Sequence, residues 1–561
     1  MLSSSHLLLL LFLPRSLGCQ TASYTECQQA PFVPGHNLAG EGFNVVMMKT
    51  SGASVVDVKN FMVGGVQGNC TLCHNNLLNK TQKLPASILD WRVKVLCHRK
   101  LTRKIFESSQ SVMEDTSKSL GVNWKVGLGI SGLGGFAIGG SHSTTSKFAE
   151  SHSRKDKFSF VTHNFECKYY TFRLHTRPPL SKEFEGSLKN LPPTYDPKNA
   201  APFQQFISIY GTHFIRQVHL GGQVTSITAI RTCEAAMSKM DVHTVSNCLS
   251  VEAEAVIKGI KFDAALGFCR NKSSSLKTGA TFSQAFSDRT TMVLGGDGNV
   301  GDILFRPNGA AGYKKWLSSL MRVPGVVSYE VSPLHLLVTN NSTLKSNLGQ
   351  AISDYIRNSA KSLRCPAGCK VGHQKQDCAC QCKGHRMVNS DCCPAETGVA
   401  KLNVTVVRAE GLWGDYVTKT DGYVKVFYNK QAYTTRVIWN NDFPVWNELF
   451  HFETVNIRDK KPIRFEVWDR DYGWDDDLLG KAEVVPTTYL NTKKFPMNHG
   501  SLVIQLSVVC APSLQGSLCD QYLATPSYEG IMGYMKEDRQ DHWGSGKSGP
   551  EADGAHGSSF L

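Results

Sequence analysis

Acidic residues gather in two short stretches of the C-terminal third of the chain. Asp415 and Asp421 bracket YVTKT, and five aspartates crowd the run DRDYGWDDD: Asp469, Asp471, Asp475, Asp476 and Asp477. Carboxylates packed this closely repel one another unless a cation lies between them, and calcium is a hard cation that prefers oxygen ligands. The pattern predicts a calcium site. The alternative is a solvated acidic surface, which normally scatters its charges.

Aromatic residues accompany both acidic stretches. Trp413 and Tyr416 lie in the first, and Tyr472 and Trp474 lie in the second. Amphipathic aromatic rings are favoured at the boundary between lipid and water. We therefore expect these four side chains to anchor the chain to a membrane, the alternative being that they pack back onto their own domain.

The elements around these stretches have the pattern of β-strands. Apolar and polar residues alternate in KLNVTVV, around TTRVIW and in IRFEVW, which predicts an antiparallel sandwich over residues 397–510 with the aspartates in its connections. The arrangement resembles the C2 domain, a calcium-dependent phospholipid-binding module in which two aspartates six residues apart face a D-x-D-x5-D set. The resemblance implies Ca²⁺ as the cofactor. It also implies these ligands: Asp415, Asp421, Asp469, Asp471 and Asp477, with Asp476 as a sixth and Asp475 as a solvated neighbour.

The chain carries the marks of a secreted protein. An apolar run from Leu8 to Leu13 predicts a signal peptide over residues 1–18, and it is too short to span a membrane. Eighteen cysteines indicate disulfides formed in an oxidising compartment. Six sequons agree with glycosylation on this route: Asn69, Asn79, Asn271, Asn340, Asn341 and Asn403. The net charge of +14 favours anionic surfaces as partners.

Seven cysteines fall between Cys365 and Cys393. They predict a small disulfide-rich module over residues 361–396, because the alternative, a zinc site, requires paired ligand spacings that this run lacks. Residues 511–561 are rich in Gly, Ser and charged residues and are expected to form a mobile tail.

The N-terminal region, residues 24–360, contains the alternating run ISIYGTHFIRQVHLGGQV. His213 within it invites a catalytic interpretation, but no nucleophile motif accompanies it and a structural role is favoured. Gly127, Gly129 and Gly132 satisfy G-x-G-x-x-G without a following helix signal, which argues against a nucleotide site. The residues indicate no enzyme.

The pentapeptide from Tyr210 through Gly211, Thr212 and His213 to Phe214 resembles the signature of the membrane attack complex/perforin family. That resemblance implies a multidomain α+β protein: a bent antiparallel sheet with helical clusters, then an EGF-like module and an all-β C2 sandwich. Gly221 and Gly222 match the glycine pair that permits the bend in the sheet. The resemblance also implies three disulfides: Cys97 to Cys167, Cys233 to Cys393, and Cys510 to Cys519.

Two segments flanking the signature are expected to insert into a membrane as β-hairpins. Apolar residues share one parity from Trp124 to Ile138, and a return strand is expected from Phe158 to Tyr170. A second segment has the same pattern and a weaker return arm near Phe282 and Phe286; its apolar positions are Val251, Ala253, Ala255 and Ile257, then Ile260, Phe262 and Ala264. Ordinary sheet packing is the alternative for both.

The favoured function is calcium-dependent lysis of membranes by a homo-oligomeric ring, with no nucleic acid as partner. The family resemblance implies storage in cytolytic granules, action at the target-cell plasma membrane and delivery of granule proteases. Two alternatives remain open: a secreted lipid-binding or adhesion protein whose pore domain never inserts, and a secreted phospholipase, which lacks a recognisable nucleophile.

Overall fold

The structure is a computed structural model of the chain. It describes residues 18–64, 68–97, 101–121, 123–130, 139–260, 269, 282–297, 301–306, 309–361, 365, 368–369, 371–414, 416–473, 475–489 and 491–525. No helix within these residues is long and apolar enough to cross a membrane.

The N-terminal region is built on an eight-stranded antiparallel sheet whose two longest strands pair along most of their length. With a three-stranded sheet beside it, the region contains eleven described strands: β1 (Cys19–Ala22), β2 (Glu41–Asn44), β3 (Lys49–Ser54), β4 (Cys70–Asn75), β5 (Lys80–Lys83), β6 (Ile88–Leu96), β7 (Thr102–Phe106), β8 (Phe158–Leu174), β9 (His213–Arg231), β10 (Arg289–Leu294) and β11 (Gly325–Pro333). The order β3-β2-β9-β8-β6 forms the main path, β10 and β11 also pair with β9, and β7 pairs with β8.

Helices lie against this sheet in groups. The described helices are α1 (Tyr24–Gln29), α2 (Ser109–Lys118), α3 (Thr144–Ser153), α4 (Lys182–Lys189), α5 (Ala200–Tyr210), α6 (Thr232–Met237), α7 (Val242–Lys258), α8 (Phe282–Ala285), α9 (Ala310–Ser319) and α10 (Ser342–Ser359). Short 3-10 turns occur at Asn123–Lys125, Pro197–Asn199, Leu334–Leu337 and Ile457–Asp459. Helices α2 and α3 pack on each other between β7 and β8 in the chain, and α7 contacts α8 and α9.

The strand predicted over the second insertion segment is wrong for this conformation. Residues 251–257 belong to α7, whose buried positions Val245, Cys248, Leu249, Glu252 and Val256 recur with the helical period. The weaker return arm near Phe282 and Phe286 begins with helix α8, and its strand starts only at Arg289. Ile260 is exposed, and residues 261–268 lie outside the described part.

The strand predicted from Trp124 is also absent from residues 123–130, which form a 3-10 turn and bends. Gly127 and Gly129 adopt φ values of +72° and +61°, a left-handed conformation that extended strands do not contain. Residues 131–138 lie outside the described part. The return strand from Phe158 to Tyr170 is confirmed by β8, which continues to Leu174.

The alternating run around the signature is strand only from His213 onward. Residues 207–210 end α5, whose apolar face consists of Phe203, Phe206, Ile207 and Tyr210 at helical spacing. The helix stops at Gly211, where φ is +77°. The signature therefore spans the junction of α5 and β9.

All eighteen cysteines form disulfides, so none is available as a zinc ligand. The structure contains the three pairs that the family resemblance implied, Cys97–Cys167, Cys233–Cys393 and Cys510–Cys519. Three further bonds close the small module, whose described residues include β12 (His373–Gln374) and β13 (Cys380–Gln381): Cys365–Cys378, Cys369–Cys380 and Cys382–Cys392. The remaining pairs are Cys19–Cys73, Cys27–Cys70 and Cys248–Cys269.

Residues 399–510 form a sandwich of two four-stranded antiparallel sheets. One sheet has the order β17-β14-β21-β20 and the other β16-β15-β18-β19. Its strands are β14 (Val399–Glu410), β15 (Gly422–Tyr428), β16 (Gln431–Thr434), β17 (Val445–Asn456), β18 (Ile463–Asp469), β19 (Asp477–Val484), β20 (Thr492–Pro496) and β21 (Ser501–Cys510). The strand predicted around TTRVIW is wrong, because β16 ends at Thr434 and residues 435–444 are a connection.

Residues 511–525, the described part of the predicted mobile tail, pack on the sandwich, contrary to that prediction. They form the short strands β22 (Leu514–Gln515) and β23 (Gln521–Tyr522), and Ala511, Leu514 and Cys519 are buried in the core of the sandwich. Residues 526–561 lie outside the described part.

Candidate calcium and membrane site

Three aspartates are placed in a row by the pairing of neighbouring strands. Asp469 ends β18, opposite Asp477 at the start of β19 and opposite Gly422, which follows Asp421, at the start of β15. The Asp421 backbone N–H donates to Oδ1 of Asp469 at 2.7 Å. Asp469 is only 1% exposed, whereas Asp477 is exposed. The row of aspartates therefore runs from the buried carboxylate of Asp469 to the surface at Asp477.

The first acidic loop, residues 411–421, lies directly against the buried carboxylate. A Cβ added to Gly414 would come within 1.7 Å of Oδ2 of Asp469. Any side chain at this position would displace the carboxylate, so glycine is required here by space. Asp415, the next residue, lies outside the described part.

Asp476 is held by a neighbour in β15. The Tyr423 hydroxyl donates to Oδ2 of Asp476 at 2.5 Å, and this hydrogen bond lowers the pKa of Asp476. Burial and the same contact raise the pKa of Tyr423, which keeps its hydroxyl a donor. The backbone N–H of Asp471 lies 3.4 Å from Oδ1 of Asp476. The second acidic loop, residues 470–476, is thus tied internally and to the sheet.

The residue types at this end of the sandwich fit calcium, since carboxylate oxygens are the ligands that a hard cation prefers. The residues that would hold it are Asp421, Asp469, Asp471, Asp476 and Asp477, together with Asp415. Among the described residues no three acidic, His or Cys side chains converge as a preformed metal centre.

The described aromatic residues of both loops are exposed. Tyr416 is 91% exposed and Tyr472 is 96% exposed, while Trp413 is 43% exposed and packs edge-on against Tyr416 with ring centroids 5.1 Å apart. Trp474 lies outside the described part. Val417, beside Tyr416, is nearly fully exposed, and sequence reasoning missed it. Large apolar side chains kept in water at a loop tip are typical of a surface that contacts a membrane.

A third loop, not predicted from the sequence, lies at this end of the sandwich. Residues 435–444 connect β16 to β17, and the Asn440 backbone N–H donates to Oδ1 of Asp421 at 2.6 Å. The signal that could have revealed it is NNDFP, a cluster of turn-forming residues directly after TTRVIW.

The signature histidine is enclosed in the core. His213 is fully buried, its Nε2 lies 2.6 Å from the carbonyl oxygen of Trp124, and its Nδ1 lies 2.8 Å from Oγ1 of Thr212. Burial lowers the pKa of His213 to about 3, so the ring is neutral and Nε2–H donates to Trp124. The geometry supports a structural role: the signature fastens the segment that leads into α3.

The glycine pair in β9 is required by close approach. A Cβ at Gly221 would lie 1.9 Å from the carbonyl oxygen of Cys167 in β8, and one at Gly222 would lie 2.4 Å from Leu320. The register of β8 against β9 shifts between Lys168 and Tyr170, beside these glycines. At Gly221 the strands β8 and β9, and at Gly222 the side chain of Leu320, come too close for any residue that carries a Cβ.

Comparison with known proteins agrees with this architecture. Residues 33–363 match the family described as the MAC/Perforin domain, and residues 400–498 match the C2 domain.

The chain belongs to the MAC/Perforin family.

The similarity of this MAC/Perforin chain to curated proteins extends beyond the MAC/Perforin domain. It is 37% identical to Perforin-1 of Homo sapiens over 519 residues, which cover 90% of this chain and 93% of the relative. It is 36% identical to Perforin-1 of Mus musculus, covering 94% and 96%. The Complement component C8 alpha chain of Oryctolagus cuniculus is 24% identical over 64% of this chain and 66% of its own length. A MAC/Perforin domain joined to a C2 domain makes the chain a calcium-dependent, pore-forming cytolytic protein.

In the MAC/Perforin domain both helical groups lie where the long strands turn. The chain leaves β7 into α2 and α3 and returns as β8; it leaves β9 into α6, α7 and α8 and returns as β10. His152 of α3 contacts Asp288, which directly precedes β10, with Nε2 2.8 Å from Oδ2. The two groups are therefore linked side by side at one end of the sheet.

Proposed function

We propose that the C2 sandwich docks the chain on a membrane through its acidic loops and that copies of the chain then insert β-hairpins as a shared barrel. The docking step is supported by an acidic cluster and exposed aromatic side chains that lie together at one end of the C2 sandwich. There, the buried carboxylate of Asp469 stands among further aspartates, and Tyr416 and Tyr472 project into water.

The carboxylates in this arrangement oppose docking when the loops hold no cation, because negative loops repel anionic headgroups. Bound calcium would supply positive charge that offsets this repulsion and would offer coordination to lipid oxygens. Asp469 and Asp421 would fix the base of the site, since the Asp421 backbone N–H is hydrogen bonded to the Asp469 carboxylate. Trp413, Tyr416, Tyr472 and Trp474 would then enter the interface.

The insertion step follows from the position of the helical groups. Strands β8 and β9 already pair over most of their length, so hairpins that formed from residues 109–153 and 242–285 would extend an existing sheet. One chain supplies four such strands, and a sheet in hydrocarbon must close to pair its backbone groups. Many copies must therefore share one barrel, so the chain would assemble with further copies of itself.

This proposal involves no covalent chemistry, so the chain would not act as an enzyme. By likeness to its relatives, the chain would be secreted from cytolytic granules, act at the target-cell plasma membrane and admit granule proteases. The proposed glycosylation sites agree with secretion, because Asn69, Asn79, Asn340 and Asn341 are exposed and Asn403 is half-buried. Asn271 lies outside the described part.

Dye release from liposomes tests the proposal. Purified chain should release small and large trapped dyes in calcium but not in chelator. Asp469→Asn and Asp471→Asn should abolish calcium-dependent binding and release, because each removes a ligand charge. Asp475→Asn is the matched control: this neighbour is exposed, and the variant should behave as the wild type.

Calcium-dependent binding without release of either dye would contradict pore formation and favour the adhesion alternative. An Asp469→Asn variant that still bound only with calcium would show that the ligands are assigned wrongly. Release accompanied by free fatty acid would indicate a phospholipase.

A further inference from the structure

The connection between β16 and β17, residues 435–444, is the middle loop of the three at the acidic end of the sandwich. Its backbone is fastened to the first acidic loop. The Asn440 N–H donates to Oδ1 of Asp421 at 2.6 Å, and the Asn441 N–H donates to the carbonyl of Thr420 at 2.8 Å. The middle loop is therefore continuous with the proposed calcium site.

Asp442 fixes the middle loop from its other side. Its carbonyl accepts from the N–H of Leu412 at 2.9 Å, and its Oδ1 accepts from the N–H of Thr420 at 3.1 Å. A carboxylate that caps a backbone N–H in the neighbouring loop leaves the middle loop little freedom to fold away. The loop is thus held in place before any membrane arrives.

Two aromatic residues flank this fastened segment, and both are exposed. Trp439 is 55% exposed and Phe443 is 64% exposed. Keeping such rings in water is unfavourable, and moving each into an apolar phase stabilises the bound state. The hydrogen bonds that fasten residues 440–443 are made by their backbone and by the side chains of Asn440, Asn441 and Asp442, so none of these bonds requires an aromatic side chain at either position.

We propose that the middle loop is a third membrane-contacting element, with Trp439 and Phe443 entering the lipid interface beside the two acidic loops. The inference rests on the proposed docking function. A lipid surface is the favoured occupant, because the loop is hydrogen bonded to Asp421 and because Lys419 and Arg470, also exposed at this end, complement anionic headgroups. The rings would add apolar contact that calcium coordination alone does not provide.

The test uses the full chain with vesicles of phosphatidylcholine and phosphatidylserine. The Trp439→Ala/Phe443→Ala variant should bind vesicles in saturating calcium with an affinity lower by about tenfold for each ring removed. Calcium binding without vesicles should be unchanged. Tyr489→Ala is the control, since Tyr489 is 78% exposed between β19 and β20, at the opposite end of the sandwich, and should stay within about twofold of the wild type.

A second measurement uses a conservative variant that keeps an aromatic ring at the position. Brominated phosphatidylcholine should quench wild-type tryptophan emission more than that of Trp439→Phe. Unchanged vesicle affinity of the double variant, or equal quenching, would overturn the proposal. Altered sedimentation of the double variant in solution, with vesicle affinity intact, would overturn it in favour of a protein contact. Failure of the wild type to bind vesicles in calcium would overturn the proposed function, and this inference with it.

Discussion

Three histidines are buried in the MAC/Perforin domain and are neutral there. Burial lowers the pKa of His163 to about 4, that of His213 to about 3 and that of His335 to about 4. In an unfolded chain each would titrate near 6.5. Between these values the unfolded state binds more protons than the folded state, so the free energy of unfolding falls as the pH falls below about 6.5.

We predict that His163→Gln reduces this pH dependence. Each buried histidine contributes a slope of about 1.4 kcal/mol per pH unit, so the loss of stability between pH 7 and pH 5 should shrink by about 2 kcal/mol in the variant. Urea unfolding at the two pH values measures it. His243→Gln, at an exposed position of α7, should keep the wild-type slope. An unchanged slope in His163→Gln would mean that this histidine is protonated in the folded chain.

At the scale of elements, α7 is fastened by a buried carboxylate. Glu252 is fully buried, and its two oxygens accept the backbone N–H groups of Phe282 at 2.7 Å and Ser283 at 2.9 Å. The contact joins the outgoing and return arms of the second insertion segment. It must break before α7 can become a strand, in which Glu252 and Glu254 would share the polar face.

We predict that Glu252→Ala loosens this group, because two buried N–H donors lose a charged acceptor, at a cost of roughly 2–4 kcal/mol. Hydrogen exchange in residues 242–258 and 282–286 should accelerate while the core of β9 stays protected. Glu254→Ala removes an exposed ion pair with Lys258 on the same helix and should change exchange little. Equal protection in both variants would show that Glu252 does not hold the helix.

The elements also show what could be predicted from sequence. The acidic loops and two of the sandwich strands, β14 and β18, were predictable because alternation and turn residues report local structure. Residues 251–257 were predicted as strand because their small and apolar residues fit both the two-residue period of a strand and the 3.6-residue period of a helix. Only packing against the sheet selects the helix. The middle loop was missed for a similar reason: Val437 and Trp439 continue the strand pattern, while the hydrogen bonds that bend the chain come from distant residues.

Over the described part of the molecule, the pore-forming domain, the disulfide-rich module and residues 522–525 meet beside α3. Cys233 is bonded to Cys393, and Lys157, between α3 and β8, donates to the carbonyl of Asp391. Asp156, only 2% exposed at the same junction, accepts from the Tyr522 hydroxyl at 2.7 Å and from the backbone N–H of Thr525 at 2.9 Å. Tyr522 and Thr525, in the segment after the sandwich, thus stabilise the junction between α3 and β8, where the first insertion segment returns to the sheet.

The hydrogen bond between Asp156 and Tyr522 should stabilise the folded chain. Asp156→Ala and Tyr522→Phe should each lower stability, and their effects should be non-additive by roughly 1–3 kcal/mol, since either change breaks the same buried hydrogen bond. Tyr489→Phe, at an exposed tyrosine, should add independently to Asp156→Ala. If α3 must leave this junction during insertion, Tyr522→Phe should also speed dye release per bound molecule while vesicle binding stays unchanged. Additive effects would show that the two side chains act separately, and slower release would show that the docked segment assists insertion instead of restraining it.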